Sequence, residues 1–217
     1  MLGLLNPIIY YLMIFKAYDL LPAQIAQSVN YTWAIMLTLL SVPLLKQPFG
    51  KIDLISMLIC YTGAVIVSTR GSFTGFSEMS ITGIALAFAS TIVWALYWIF
   101  NVKNSLDPVI VLFLNFLLSL PIIFLITIMF SHINISLYGM LSSAWVGAFE
   151  FGFTFVIWLN ALKLSGSTGK VVNLIFLTPF VSLIFIHFVL DEVIYITTLF
   201  GLVLIVSGLL LQKFVKN

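Results

Sequence analysis

Residues 108–130 read PVIVLFLNFLLSLPIIFLITIMF and contain no charged side chain. About 20 apolar residues in an α-helix span the hydrocarbon core of a bilayer, so this stretch is long enough to cross it. Similar runs recur along the whole chain of 217 residues, which is 62% hydrophobic, only 7% charged and has a mean hydropathy of +1.22. Because soluble domains are about 25% charged, this composition excludes a soluble fold. The sequence therefore predicts an all-α membrane protein.

Short polar breaks divide the chain into eight predicted transmembrane helices. They cover residues 2–18, 23–45, 53–69, 80–101, 108–130, 141–162, 171–190 and 194–212. No break is long enough to hold a second, soluble domain. The first apolar stretch lacks a basic start and a small-residue cleavage site, so we expect it to be a spanning helix and not a signal peptide.

The lysines and arginines are concentrated on alternate loops. One side of the membrane holds only Lys16 and Arg70. The other side holds seven lysines, namely Lys46, Lys51, Lys103, Lys163, Lys170, Lys213 and Lys216. Since cytoplasmic loops carry the excess of basic residues, the seven-lysine side is predicted to be cytoplasmic. With eight spans, both termini then lie in the cytoplasm of a cell that carries this protein in its inner or plasma membrane.

The polar residues give little support to other function classes. A net charge of +2, spread along the chain, gives no basis for nucleic-acid binding. Cys60 is the only cysteine, so an internal disulfide or a thiolate metal cluster cannot form. No Ser-His-Asp or paired-carboxylate arrangement falls within the predicted spans. We therefore predict no enzymatic activity, no metal and no cofactor.

The two halves of the chain are similar at an offset of about 144 residues. The matches pair Ala17 with Ala161, Leu20 with Leu164, Val29-Asn30 with Val172-Asn173, and Gly63 with Gly208. Residues 80–213 then form a complete five-helix repeat, residues 71–79 a linker, and residues 1–70 the last three helices of a first repeat that is expected to lack two. An odd number of helices per unit inverts consecutive copies, as in many secondary transporters. A chance match of apolar segments and a repeat kept only for packing remain alternatives.

Two stretches also resemble a known family. Residues 21–50, LPAQIAQSVNYTWAIMLTLLSVPLLKQPFG, and residues 149–192, FEFGFTFVIWLNALKLSGSTGKVVNLIFLTPFVSLIFIHFVLDE, resemble the EamA-type branch of the drug/metabolite transporter superfamily. In that family a helix rich in small residues, an Ala-Leu plus basic loop, and an apolar helix ending in an acid recur once per half. The second half here ends in Leu190-Asp191-Glu192, whereas the first-half ending, Leu45-Lys46-Gln47, lacks the acid.

The resemblance implies a fold and a function. It implies ten helices in two inverted five-helix repeats around a central substrate cavity, and eight helices fit a member that begins at its third. It further implies a secondary transporter that exports or exchanges a small organic metabolite, amino acid or drug across the cytoplasmic membrane by alternating access. Its partners would be the lipid bilayer and a small-molecule substrate. Proton coupling and a homodimer stay open, and the alternative is a truncated or non-transporting membrane subunit that needs a partner.

Glu150 is the first candidate site residue, because it lies near the centre of the predicted helix 141–162. An ionisable group at that depth is costly unless it is protonated, paired or in a wet cavity, so we expect it to face the bundle interior. There it would couple protons or hold a substrate amine. The alternative is a protonated carboxyl that only bonds neighbouring helices.

Six further candidates are amides and aromatic residues. The repeat-related Asn30 and Asn173 can hydrogen-bond a substrate or join helices, and Trp33 shares the helix face of Asn30. Trp94, Tyr97 and Trp98 are spaced so that their rings meet on one side of a helix. That trio offers a cation–π surface for an amine, or else belongs to an aromatic belt at the cytoplasmic boundary.

Overall fold

The computed structural model describes residues 2–69, 71, 80–130, 136–178, 181 and 196–214. All regular structure in these ranges is helical. The α-helices are α1 (Tyr10–Leu20), α2 (Ala23–Asn30), α3 (Trp33–Leu45), α4 (Lys51–Ser68), α5 (Ile81–Lys103), α6 (Pro108–Phe130), α7 (Leu137–Val146), α8 (Phe155–Leu164), α9 (Thr168–Asn173) and α10 (Ile196–Phe214). Two π-helical segments, Leu4–Ile9 and Gly147–Thr154, and one 3-10 helix, Leu174–Leu177, adjoin them.

The described helices confirm a multi-pass, all-helical membrane protein. Four helical stretches are long and apolar enough to cross a bilayer, namely Ile25–Leu45, Ile81–Lys103, Pro108–Phe130 and Leu137–Leu164. The predicted helix 108–130 has the bounds of α6. Most of the second part of the predicted helix 171–190 lies outside the described residues, so the count of eight spans remains a prediction.

Helix α5 is the centre of the bundle. It packs against α1 and α2 on one side and against α3 on another. Small residues permit this close approach, because Ala87 and Ala95 are fully buried and a Cβ on Gly83 would lie 2.7 Å from Leu21 Cγ. Residues of both predicted halves therefore meet along α5.

Helices α4 and α10 pack together more extensively than any other described pair. A Cβ on Gly63 would lie 2.5 Å from the Gly201 carbonyl oxygen and 2.8 Å from Ile205, and one on Gly208 would lie 2.5 Å from Cys60 Sγ and 2.8 Å from the Ser56 carbonyl oxygen. The two backbones thus approach each other directly at Gly63 and Gly201, whereas the Cys60 side chain lies between them at Gly208. The two sets of contacts are related by one sequence offset. Gly63 and Gly208, Ser56 and Gly201, and Cys60 and Ile205 are each 145 residues apart.

The predicted helix 23–45 forms one helical stretch from Ile25 to Leu45, but its hydrogen bonding changes after Asn30. Helix α2 ends at Asn30, and Thr32 N–H then bonds to the Val29 carbonyl over three residues before α3 begins. Helix α9 likewise ends at Asn173 and continues as the 3-10 helix. Shorter hydrogen-bonded turns tighten a helix and often mark a hinge. Each of the repeat-related asparagines is therefore the last residue of a short helix.

The π-helical segments also occupy comparable places in the two halves. Leu4–Ile9 leads directly into α1, and Gly147–Thr154 leads directly into α8. In the first segment, Asn6 leaves helical geometry altogether, with φ −141° and ψ 124°. Whether helices one to three superpose on helices six to eight as whole units stays a prediction.

The stretch from Leu137 to Thr154 is the most exposed long helix of the described chain. None of the residues of α7 or of the following π segment is buried. Large apolar side chains such as Tyr138, Trp145 and Phe153 lie 85%, 66% and 64% exposed. Helix α8 instead buries Phe155, Leu159 and Leu162 against α5 and α6. The long helix Leu137–Leu164 thus packs against other described helices mainly through its C-terminal end, which is α8.

Candidate aromatic and amide site

Trp94 is the hub of an aromatic cluster at the meeting point of the helices. Its ring lies 4.4 Å from Tyr10 of α1, 6.3 Å from Trp33 of α3 and 5.7 Å from Phe155 of α8, between centroids. Trp98, one turn along α5, lies 5.7 Å from Trp94. We call the residues Tyr10, Trp33, Trp94, Trp98 and Phe155 the Trp94 cluster. Because Tyr10 and Trp33 come from the first half and Trp94, Trp98 and Phe155 from the second, the cluster spans both predicted repeats.

Asn30 joins this cluster through a hydrogen bond. The Tyr10 hydroxyl donates to Asn30 Oδ1 at 3.4 Å, and the Tyr10 ring stacks against Trp94. Asn30 is only partly buried, as are Trp33 and Trp94. The helix break after Asn30 therefore places an amide beside the rings at a point that is not wholly sealed by packing.

Several polar atoms in and beside the cluster have no hydrogen-bond partner. These include the indole Nε1 atoms of Trp94 and Trp98, both buried. Each unpaired buried N–H loses its bond to water without replacement, which costs about 1–3 kcal/mol. Such groups call for an explanation, and a bound molecule with an acceptor atom is one.

The Tyr97 ring lies 5.2 Å from the Trp98 ring, between centroids, and its hydroxyl reaches a group of asparagine side chains. Its hydroxyl lies near Asn6, Asn101 and Asn115 but has no hydrogen bond of good geometry to any of them. The Asn115 amide donates to Asn101 Oδ1 at 2.8 Å, whereas both amide atoms of the fully buried Asn6 are unpartnered. This polar cluster joins the first π segment to α5 and α6.

The Trp94, Tyr97 and Trp98 trio is not an interfacial belt. Tyr97 and Trp98 are 0% and 1% exposed, so both lie in the core and away from the lipid. Only Trp94, of intermediate exposure, keeps surface that a solute can reach. The cause is the small-residue packing of α5, which draws α1, α3 and α8 over these rings.

Asn173 lies in a separate network from its repeat-related partner. Its amide donates to Gln212 Oε1 at 3.0 Å, and the Gln212 amide donates to Asp53 Oδ1 at 3.3 Å. The other Asp53 oxygen accepts from the Gly50 N–H at 3.0 Å. This chain links the ends of α9, α10 and α4. The structure therefore does not bring Asn173 to the Trp94 cluster.

Glu150 does not face the bundle interior, contrary to the expectation from its depth in the sequence. It lies in the exposed Gly147–Thr154 segment and is itself exposed. The π-helical turn widens the helix there, and α7 has no covering helix among the described residues. The role of Glu150 remains a prediction.

A cavity of about 560 Å³ lies between the two π segments and α6. Its walls are apolar and include Pro7, Phe116, Phe151 and Gly152. Phe151 also lies 5.3 Å from Phe155, between ring centroids, which connects this cavity to the Trp94 cluster. The space is large enough for a small organic molecule.

Sequence reasoning missed Tyr10 and the three asparagines Asn6, Asn101 and Asn115. Asn115 is the only amide in the apolar run 108–130, and Asn6 precedes a proline in an apolar helix. A polar residue in such a run usually faces the bundle interior, which was the available signal. Nothing local indicated that the three would meet.

Comparisons with known proteins agree with this fold. The sequence model of the EamA-like transporter family matches residues 1–69 and 81–212. The chain is 24% identical to "Uncharacterized transporter YvbV" of Bacillus subtilis (strain 168), over 96% of this chain and 69% of that one. It is 28% identical to "Uncharacterized transporter in sor 3'region" of Acidianus ambivalens, over 77% and 66%. It thus spans about two thirds of the length of these relatives.

One solved crystal structure has the same fold. It superposes with a TM-score of 0.87 over 99% of this chain and 75% of the other, at 20% sequence identity. At that identity the likeness concerns the arrangement of helices alone. The packing around α5 and between α4 and α10 is accordingly a recurrent architecture.

Proposed function

This chain belongs to the EamA-like transporter family, and we propose that it moves a small organic solute across the membrane by alternating access, with the solute held at the Trp94 cluster. The observation that carries the proposal is the unpartnered Trp94 indole N–H beside Asn30, at a place where side chains from both halves meet. Transporter sites commonly lie at repeat interfaces beside interrupted helices.

The chemistry of the cluster favours a solute with an acceptor atom and an apolar or cationic part. The indole N–H group of Trp94 can donate to a carbonyl or carboxylate oxygen. The aromatic faces of Trp33 and Trp94 can hold an alkyl, aromatic or ammonium group. An amino acid or a related amine combines both features, so this is the substrate class that the site supports best.

The test is flux through liposomes that contain the purified protein. We expect saturable uptake of at least one probe from a panel of radiolabelled phenylalanine, leucine, putrescine and choline. Trp94→Phe removes the N–H and keeps an aromatic ring, so it should lower that uptake about tenfold or more, as the loss of one buried hydrogen bond does. Trp145→Phe is the matched control, because Trp145 is 66% exposed and lies outside the cluster.

Two results would contradict the proposal. Uptake of every probe at the rate of empty liposomes would remove the assigned substrate class. Equal uptake in the Trp94→Phe and Trp145→Phe proteins would remove the assigned site.

A membrane subunit that works with a partner is the second candidate. The exposed stretch from Leu137 to Thr154 favours this candidate. Glu150 in the second π-helical segment has no covering helix among the described residues, whereas Asn6 in the first π-helical segment is covered by α5 and α6. On this reading, native membrane vesicles transport a probe that liposomes of the purified chain do not. Equal flux in both preparations would exclude a required partner.

A further inference from the structure

We propose that a cavity between α9 and α10 binds the phosphate group of an anionic phospholipid. The cavity measures about 370 Å³ and is lined by Lys170 and Leu174 on one side, and by Leu209, Leu210, Gln212 and Lys213 on the other. It lies apart from the Trp94 cluster, and this proposal does not depend on the transported solute.

Two lysines from different helices give the cavity its charge. Lys170 lies in α9 and Lys213 in the last turn of α10, and both are exposed. Among the described residues, neither ammonium group has a carboxylate oxygen within 4.0 Å. Lys213 instead lies over the Phe214 ring, 5.5 Å from its centroid. Both ammonium groups are therefore available to an anion.

Asp53, which is linked to the cavity residue Gln212, is already engaged by other donors. Asp53 is 8% exposed, and its oxygens accept from the Gln212 amide and the Gly50 N–H. Gln212, which lines the cavity, is held in place because its own oxygen accepts from Asn173. This buried network holds Gln212 in place at the cavity, and it provides no counter-ion to the two lysines among the described residues.

The surrounding surface selects a lipid over a soluble phosphate. Leu174 is 54% exposed and Leu210 is 46% exposed, and both line the cavity beside the lysines. Further along α10, Val203 and Val206 are also exposed. The two lysines at the helix end suit the phosphate group of a phospholipid. The exposed apolar side chains along α10 suit its acyl chains. Basic pockets at the cytoplasmic side of membrane proteins bind anionic head groups in this way.

Native mass spectrometry of the purified protein tests the proposal. The protein is released from membranes with equal amounts of phosphatidylglycerol and phosphatidylcholine, and the ratio of the two bound lipids is measured. We expect phosphatidylglycerol to be enriched, and the double substitution K170Q/K213Q to lower the enrichment about thirtyfold, as two lysines near an anionic surface predict. The control K46Q/K103Q removes two other lysines, neither of which lines the cavity, and should leave it unchanged.

A second arm distinguishes lipid from free phosphate. Glycerol 1-phosphate at millimolar concentration carries the same phosphate without acyl chains, so it should not displace the bound lipid. Displacement would make the site one for soluble phosphates and overturn the lipid assignment. Equal enrichment in K170Q/K213Q and K46Q/K103Q, or no enrichment in the wild type, would overturn the site itself.

Discussion

The contact between α4 and α10 makes a strong prediction about stability. An alanine at Gly63 would place its Cβ 2.5 Å from the Gly201 carbonyl oxygen, against about 3.4 Å for ordinary contact. The helices would have to move apart by nearly 1 Å along a well-packed seam. Overpacking of this kind costs about 1–3 kcal/mol, and the better helix propensity of alanine returns up to about 1 kcal/mol. We expect a net loss of about 1–2 kcal/mol.

Gly147→Ala provides the matched control for this substitution. Nothing lies within 4 Å of a Cβ at Gly147, so the alanine there should leave stability unchanged or slightly raised. Gly201→Ala should be destabilising like Gly63→Ala, because its Cβ would lie 2.8 Å from the Gly63 carbonyl oxygen. The double variant should lose less than the sum, since one separation of the helices accommodates both methyl groups.

The assay is reversible unfolding of the purified protein in mixed micelles, followed as the fraction of denaturing detergent rises. The free energy of unfolding is compared for the wild type, the two single variants, the double variant and Gly147→Ala. If Gly63→Ala and Gly147→Ala unfold with the same free energy, the backbones of α4 and α10 are not in contact. Strict additivity of Gly63→Ala and Gly201→Ala would show that the two glycines do not share one seam.

Three further predictions concern topology, coupling and the amide site. The lysine asymmetry predicts that both termini lie in the cytoplasm, so a phosphatase fused after Asn217 should be inactive and a fluorescent reporter there active. An active phosphatase would reverse the loop assignment. If Glu150 couples protons, Glu150→Gln should abolish the pH dependence of flux while the protein still inserts, and unchanged pH dependence would leave it a structural residue. Tyr10→Phe removes the hydroxyl that donates to Asn30 and should weaken solute uptake several-fold; unchanged uptake would separate Asn30 from the site.

Much of the fold was predictable because apolar residues dominate each predicted transmembrane helix. The run 108–130 became α6 with the expected bounds, since no charged side chain interrupts it. The ends of other helices differ by a few residues. The predicted helix 141–162 became Leu137–Leu164 because the N-cap of α7 is Ser136, whose side chain accepts from Gly139 N–H. Hydropathy does not register such a cap.

The site was less predictable, because it depends on how distant helices approach one another. The spacing of Trp94 and Trp98 correctly placed their rings together, since neighbours on a helix are fixed by its period. Tyr10 joined them only through the packing of α1 on α5, which glycine and alanine positions control. Glu150 was misplaced because depth in a span gives no information on which face is covered. The inward orientation predicted for it was wrong for that reason.

The glycine contact between α4 and α10 also has a mechanical meaning. Where the two backbones are in direct contact, at Gly63 and Gly201, no side-chain torsions separate them. This helix pair is therefore stiff and moves as one rigid unit. Around Trp94, by contrast, the large rings of Tyr10 and Trp33 meet it across the two halves, and each ring can turn about its own bonds. Any relative rotation of the two halves is therefore accommodated at the aromatic side chains. The displacement of a residue in such a rotation grows with its distance from the α4 and α10 pair.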